Sequence, residues 1–304
     1  MSLYLKYRPS ELKDVLGNDE IIMSLSHLIE NPSRIPHVFL FVGPTGTGKT
    51  TLARIIASKL NCFGNDLREV DSADFRGIDT IREIRKNSQF APMESDCRVW
   101  ILDEVHRLTG DAQNALLKIL EDTPSHIYFI LCTTDPQKLL PTLVGRCSVY
   151  TTKLLDEVSM MKLLRRVVKE EGETLSKEVY LQIVTDSLGH ARNALQTLEQ
   201  VLTVAPENRL EIARKNAEQQ NQVIELCRAL LGRKTWKEVA NVLTGLKTEE
   251  PENIRRAVLG YCQAVLLKGN NDRAAAIMEA FIEPFYNSLY PGLVFACYSV
   301  VVNS

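Results

Sequence analysis

The sequence predicts an α/β fold in the first half of the chain and an all-helical remainder. Short, unbroken apolar runs alternate with segments of helical periodicity up to about residue 152. Those runs end in glycine or polar residues. Beyond residue 152 only helical periodicity continues. Strands buried on both faces read as continuous apolar runs, and strands that alternate with helices build a parallel, doubly wound sheet.

The elements follow in order. Residues 37–42 (HVFLFV) are the first apolar run and end at Gly43. Residues 50–60 (TTLARIIASKL) place Leu52, Ile55, Ile56 and Leu60 on one side of a helix. Residues 98–102 (RVWIL) end in Asp103-Glu104, residues 112–120 are helical, and residues 127–132 (IYFILC) end at Thr133-Thr134. In a parallel sheet ligands sit beyond the carboxyl ends of the strands, so these endings are where a site is expected. Residues 156–171, 177–187 and 191–204 read as helices of a small unit, with a linker at 205–208. From about residue 213 the pattern is wholly helical, with breaks expected at Gly232, Glu250-Pro251, residues 269–271 and Pro291-Gly292. Three domains are expected: 1–152, 153–212 and 213–304.

Composition narrows the function classes. Of 304 residues, 45% are apolar and 24% charged, the balance of a globular protein rather than a disordered one. There is no run of 18 or more apolar residues, so no membrane span is expected. Met1–Pro9 lacks the apolar stretch of a secretory leader. Seven scattered cysteines, an odd number without a C-x-x-C pair, argue for a reducing compartment and against a disulfide framework or a zinc site. Net charge is −2 overall, and no domain carries the basic excess of a free-standing nucleic-acid binder. Contact with DNA would have to use a local patch or be made by one of several copies.

The strongest motif is Gly43-Pro44-Thr45-Gly46-Thr47-Gly48-Lys49-Thr50, followed by Thr51. It matches G-x-x-x-x-G-K-T, follows a strand and opens a helix. Its glycines let backbone N–H groups turn inward around phosphate, and the helix N-terminus adds partial positive charge. Lys49 would reach the β- and γ-phosphates, and Thr50 would ligate Mg²⁺. The second motif is the strand ending Asp103-Glu104. Asp103 would hold Mg²⁺, and Glu104 would position and polarise an attacking water. A hydroxyl at Thr133 or Thr134, at the end of the next strand, would reach the γ-phosphate or that water. His106, beside the acidic pair, reads as structural.

With these motifs in place, the sequence resembles the AAA+ clamp-loader ATPases. It is similar to the bacterial gamma/tau subunits of the polymerase III clamp loader and to replication factor C small subunits. The matching stretches are Tyr7-Arg8-Pro9, residues 14–18 (DVLGN), the Gly43–Thr50 loop, residues 76–82 (RGIDTIR), 102–106 (LDEVH), 111–121 (DAQNALLKILE) and 133–139 (TTDPQKL). Gly145-Arg146-Cys147 falls where the family has Ser-Arg-Cys, a departure that bears on how that loop is held.

The resemblance implies a RecA-like AAA+ nucleotide-binding domain, a helical lid and a helical collar that holds subunits together. Arg8, Pro9, Val15 and Leu16 would line an adenine pocket. Thr134 would be sensor 1. Arg192, in residues 189–195 (GHARNAL), would be sensor 2. Arg146 would be an arginine finger directed at a neighbouring subunit's ATP. Arg76, Arg82, Arg85 and Lys86 would face primer–template DNA; the last three lie at i, i+3 and i+4, one helical face. Implied partners are other clamp-loader subunits (about five positions), a sliding clamp and primer–template DNA, in the cytoplasm. The cofactors would be ATP and Mg²⁺. The family's four-cysteine zinc insertion would follow Cys62 and is lacking, so no zinc is expected. Another AAA+ DNA-remodelling ATPase, a branch-migration motor or an initiator, remains a reading, as does a nucleotide-bound scaffold that does not turn over.

Overall fold

The computed structural model describes the chain apart from residues 73–76, 248, 268, 287 and 303–304, and apart from the side chains of 214–221, 224 and 264. It divides into two compact units, Met1–Thr203 and Val204–Ser304.

The first unit holds nine helices and five strands among the described residues. In chain order they are α1 (Leu3–Lys6), α2 (Asp19–Ile29), β1 (Val38–Val42), α3 (Lys49–Lys59), β2 (Leu67–Asp71), α4 (Ile78–Asn87) and β3 (Arg98–Asp103). Then come α5 (Gly110–Glu121), β4 (Ile127–Thr133), α6 (Pro141–Val144), β5 (Ser148–Thr151), α7 (Glu157–Glu170), α8 (Lys177–Asp186) and α9 (Ala191–Leu202). The strands form one sheet in the order β2-β3-β4-β1-β5, with every neighbouring pair parallel. This is the expected α/β class.

The three apolar runs are its central strands, and successive side chains on them alternate between the two faces. Val38, Leu40, Trp100, Leu102, Phe129 and Leu131 pack with α4 and α5. Phe39, Phe41, Val99, Ile101, Ile130 and Cys132 pack with α2 and α3. β2 (LREVD) and β5 (SVYT) were not apparent in the sequence. They are the two edge strands, and they carry exposed residues where the central strands are buried.

The second unit contains α10 (Arg209–Leu231), α11 (Trp236–Gly245), α12 (Pro251–Leu266), α13 (Asp272–Ala280) and α14 (Leu289–Val302). Its core is built on Leu226, Leu230, Val239, Leu243, Val258, Ile277, Phe281 and Leu293. Helix boundaries fall at Gly232, at Glu250-Pro251 and across 269–271 as expected. The break expected at Pro291-Gly292 does not occur. Both residues lie in the first turn of α14, where a backbone N–H has no intrahelical partner, so proline removes nothing. Among the described residues no helix is long and apolar enough to cross a membrane.

Candidate active site

The loop that leaves β1 is shaped by close approach. A Cβ on Gly43 would lie 2.3 Å from Thr152 Oγ1 and 2.4 Å from the Thr152 carbonyl oxygen, so only glycine fits. Gly48 caps α3 at φ +94°, a conformation that costs glycine little. Lys49 is buried, and its Nζ donates to the carbonyl oxygens of Gly43 and Pro44, each at 2.8 Å. Burial pulls the Lys49 ammonium below its ordinary value, while Glu104 and Asp103 oppose that fall.

Sheet order brings the motifs together. β4 lies between β3 and β1, so Thr134 emerges between the Asp103-Glu104 pair and the loop after β1. Thr50 Oγ1 donates to Asp103 Oδ2 at 2.7 Å, and the other oxygen of Asp103 accepts the Glu104 N–H at 2.9 Å. Glu104 itself sits at φ +48°, a strained conformation for a residue other than glycine. Its carboxylate accepts from the Thr134 hydroxyl at 3.1 Å and lies 3.2 Å from His106 Nδ1. His106 Nδ1 also lies 3.1 Å from the hydroxyl of buried Thr133, whose oxygen accepts from the Asp135 N–H. Burial lowers the His106 pKa, and Glu104 counters it. Glu104 is thus held between a hydroxyl and an imidazole at the carboxyl edge of the sheet.

A cleft of about 340 Å³ opens beside these groups, the size range of small-ligand pockets. It is lined by Arg8, Pro9, Val15 and Leu16, by residues 45–51, by Asp103 and Glu104, and by Arg192. Arg8 Nε donates to the Thr51 hydroxyl at 3.1 Å, and burial lowers the Arg8 pKa. The Arg192 guanidinium stands 5.7 Å from the centre of the Tyr4 ring. Tyr4, Tyr7 and Leu155 are among further apolar or aromatic walls to which the sequence assigned no part in a pocket. Nor was Arg166, which lines the same cleft and donates to the Asp14 carbonyl at 3.2 Å. Thr50 and Asp103 present a hydroxyl and a carboxylate side by side, the hard-oxygen donors that Mg²⁺ prefers.

The other expected residues lie elsewhere. Arg146 is at the amino edge of the sheet, just before β5, with its guanidinium bonded to Glu121 and, at 2.9 Å, to the Thr142 carbonyl. Gly145 before it has an ordinary helical φ of −63°, and a Cβ there would be 3.4 Å from the Pro141 carbonyl oxygen. Serine fits at that place without strain. Arg82, Arg85 and Lys86 are exposed on α4, opposite buried Ile81 and Ile84, and Arg82 pairs with Asp79 at 2.8 Å. Arg76 lies outside the described residues. Cys62 is buried in contact with Cys97. Among the described residues no cluster of three or more His, Cys, Asp or Glu is placed to hold a metal.

A family profile described as DNA polymerase III, delta subunit, matches residues 65–156. DNA polymerase III subunit gamma/tau of Mycobacterium tuberculosis is 36% identical over 237 residues, covering 70% of this chain and 41% of its own length. The tau subunit of Bacillus subtilis is 34% identical over 224 residues, covering 66% of this chain and 39% of its own. The chain belongs to the AAA+ clamp-loader ATPase family. The resemblance read from the sequence is borne out, although this clamp-loader chain spans less than half the length of those two relatives. The RuvB branch migration motor of Thermotoga maritima superposes with a TM-score of 0.62 at 20% identity, covering 78% of this chain and 85% of that one. That likeness shows the AAA+ P-loop fold. Membership of this family implies nucleotide binding with a divalent metal.

Proposed function

We propose that this chain is the ATP-hydrolysing subunit of a DNA sliding-clamp loader, acting at sites shared between subunits to place a ring-shaped clamp on primer–template DNA. One observation carries the reading: a single cleft joins the Lys49 loop, the Thr50–Asp103 pair, and a Glu104 held by Thr134. That set suits hydrolysis as well as binding.

Lys49 would exchange its two carbonyl partners for β- and γ-phosphate oxygens. Arg8, Pro9, Val15 and Leu16 would hold the base. Thr50 and Asp103 would hold Mg²⁺, which would supply neutralisation of the phosphate charge. Glu104 would orient a water whose oxygen bonds to the γ-phosphorus as the bond from that phosphorus to the β–γ bridging oxygen breaks. ADP leaves, and the water's proton passes to Glu104 or to the phosphate formed. Arg192 would approach the γ-phosphate from the lid, and Arg146 would serve a neighbouring subunit. Arg82, Arg85 and Lys86 would meet DNA phosphates, with binding that is independent of sequence and weakens with salt.

The test is steady-state ATP hydrolysis by the assembled complex with clamp and primed DNA, compared with a Glu104→Gln complex. We expect roughly a hundredfold lower turnover, the loss typical of removing one key catalytic group, with ATP-analogue affinity within about threefold. Equal rates would refute the hydrolytic role and leave a nucleotide-bound scaffold.

A further inference from the structure

The lid touches the phosphate loop through a side chain to which no role has yet been given. His190 is the residue that precedes α9, and its Nδ1 lies 2.9 Å from the carbonyl oxygen of Thr45. A carbonyl only accepts, so Nδ1 carries the proton and donates. Thr45 belongs to the Gly43–Thr50 loop, whose N–H groups would serve a bound phosphate. His190 holds that loop by a carbonyl oxygen, a group that a phosphate does not use.

The turn that presents His190 has little freedom. Leu188 and Gly189 adopt φ of +48° and +82°. A Cβ on Gly189 would lie 2.7 Å from the Leu155 carbonyl oxygen, and the Leu155 N–H donates to the Gly189 carbonyl at 3.0 Å. The His190 N–H donates in turn to the Ser187 carbonyl at 2.8 Å. On the other side of the contact, Gly46 has φ +79°, and a Cβ there would be 3.8 Å from both His190 Nδ1 and Arg192 Cβ. A side chain on Gly46 would thus be in van der Waals contact with the start of the lid helix, and the turn delivers a hydrogen bond from that start to the loop. Arg192 follows two residues later, so whatever fixes His190 fixes the start of the helix that carries Arg192.

We propose that His190 is a positioning residue that latches the lid to the phosphate loop, so that Arg192 is held over the cleft before the triphosphate arrives. This rests on the cleft being a nucleotide site. The latch predicts coupling: removing it makes Arg192 less useful, because a loose helix presents the guanidinium less often.

The experiment is a double-mutant cycle on the full chain, read by titration with a fluorescent non-hydrolysable ATP analogue and Mg²⁺. His190→Ala is expected to weaken binding about fivefold, the value of one net hydrogen bond. His190→Asn, whose amide nitrogen falls near the place of Nδ1, is expected to recover most of that loss. Arg192→Ala is expected to cost less than half as many fold in the His190→Ala background as in the unaltered chain. A general loss of structure would weaken both backgrounds alike and would not be rescued by asparagine. Unchanged affinity in His190→Ala, or an Arg192→Ala effect equal in both backgrounds, overturns the latch alone. Absence of binding by the unaltered chain overturns the nucleotide reading and the latch with it.

Discussion

Asp66 is fully buried beneath the segment that joins α4 to β3. Its carboxylate accepts the N–H groups of Met93 (2.9 Å), Glu94 (2.7 Å) and Ser95 (3.0 Å) and pairs with Arg98 at 3.1 Å. Arg98 also donates to the carbonyls of Asn87 and Ala91. Burial opposes ionisation of Asp66, but the N–H groups of Glu94 and Met93, the Arg98 guanidinium and the Ser95 N–H outweigh it and hold the carboxyl at about 2, down from 3.8. That difference is worth about 2 kcal/mol. The folded value lies below the unfolded one, so the contribution is complete above about pH 4 and is lost as pH falls toward 2. Asp66→Ala removes the acceptor, leaving the buried Arg98 guanidinium without its counter-charge and three N–H groups without their acceptor, at a cost of about 3–5 kcal/mol. The assay is urea unfolding followed by tryptophan fluorescence in a Trp236→Phe background, where Trp100 on β3 reports the first unit alone. Asp66→Asn is expected to flatten the acid limb, reducing the loss of unfolding free energy between pH 6 and pH 2 by about 2 kcal/mol. An unaltered acid limb in Asp66→Asn, or a cost below about 1 kcal/mol for Asp66→Ala, would refute the reasoning.

Two substitutions test the loops. Gly43→Ala places a Cβ against the Thr152 carbonyl, which backbone alone can relieve; ATP-analogue affinity is expected to fall at least roughly tenfold as the phosphate loop is displaced. Gly145→Ser meets ordinary helical backbone and a contact at 3.4 Å. Its unfolding free energy is expected to hold or rise by about 0.4–1 kcal/mol, through loss of freedom in the unfolded chain, and a fall of more than about 1 kcal/mol would show that the glycine is needed there.

What could be read from the sequence follows the chemistry of each element. Strands β1, β3 and β4 are central, buried on both faces, and so appear as apolar runs. β2 and β5 have one neighbour each; their four or five residues mix charge or hydroxyl with apolar side chains, and no period stands out. The phosphate loop and Asp103-Glu104 are contiguous motifs and need no tertiary knowledge. Arg8, Leu16 and Arg192 became candidates only through the family resemblance, because the fold alone brings them to the loop. Tyr4 and Leu155 reach the cleft across long stretches of chain and carry no local signal, and Tyr7 was marked only by its place in the Tyr7-Arg8-Pro9 stretch. His190 looked like any residue before a helix. Its contact with Thr45 depends on a turn set by Leu188 and Gly189, where only the glycine hinted at the left-handed backbone.

The same sheet constrains how Arg146 can act under the proposed reading. β1 and β5 are parallel neighbours with Phe39 opposite Ser148. The phosphate loop leaves β1 at the carboxyl edge, whereas Arg146 enters β5 at the amino edge, near Pro36 and His37. The five residues of β1 separate the two edges by about 16 Å at 3.3 Å per residue. An arginine there stands at the opposite edge from its own loop, and under the proposed reading another copy or a companion subunit would bring a triphosphate to it. The pair with Glu121 does not prevent this. Both side chains are about 40% exposed, at 39% and 43%, and exposed pairs are worth about 0–1 kcal/mol. Under the proposed reading Arg146 would therefore exchange Glu121 for a neighbour's phosphate at small cost, and the exchange would need no change elsewhere in the chain.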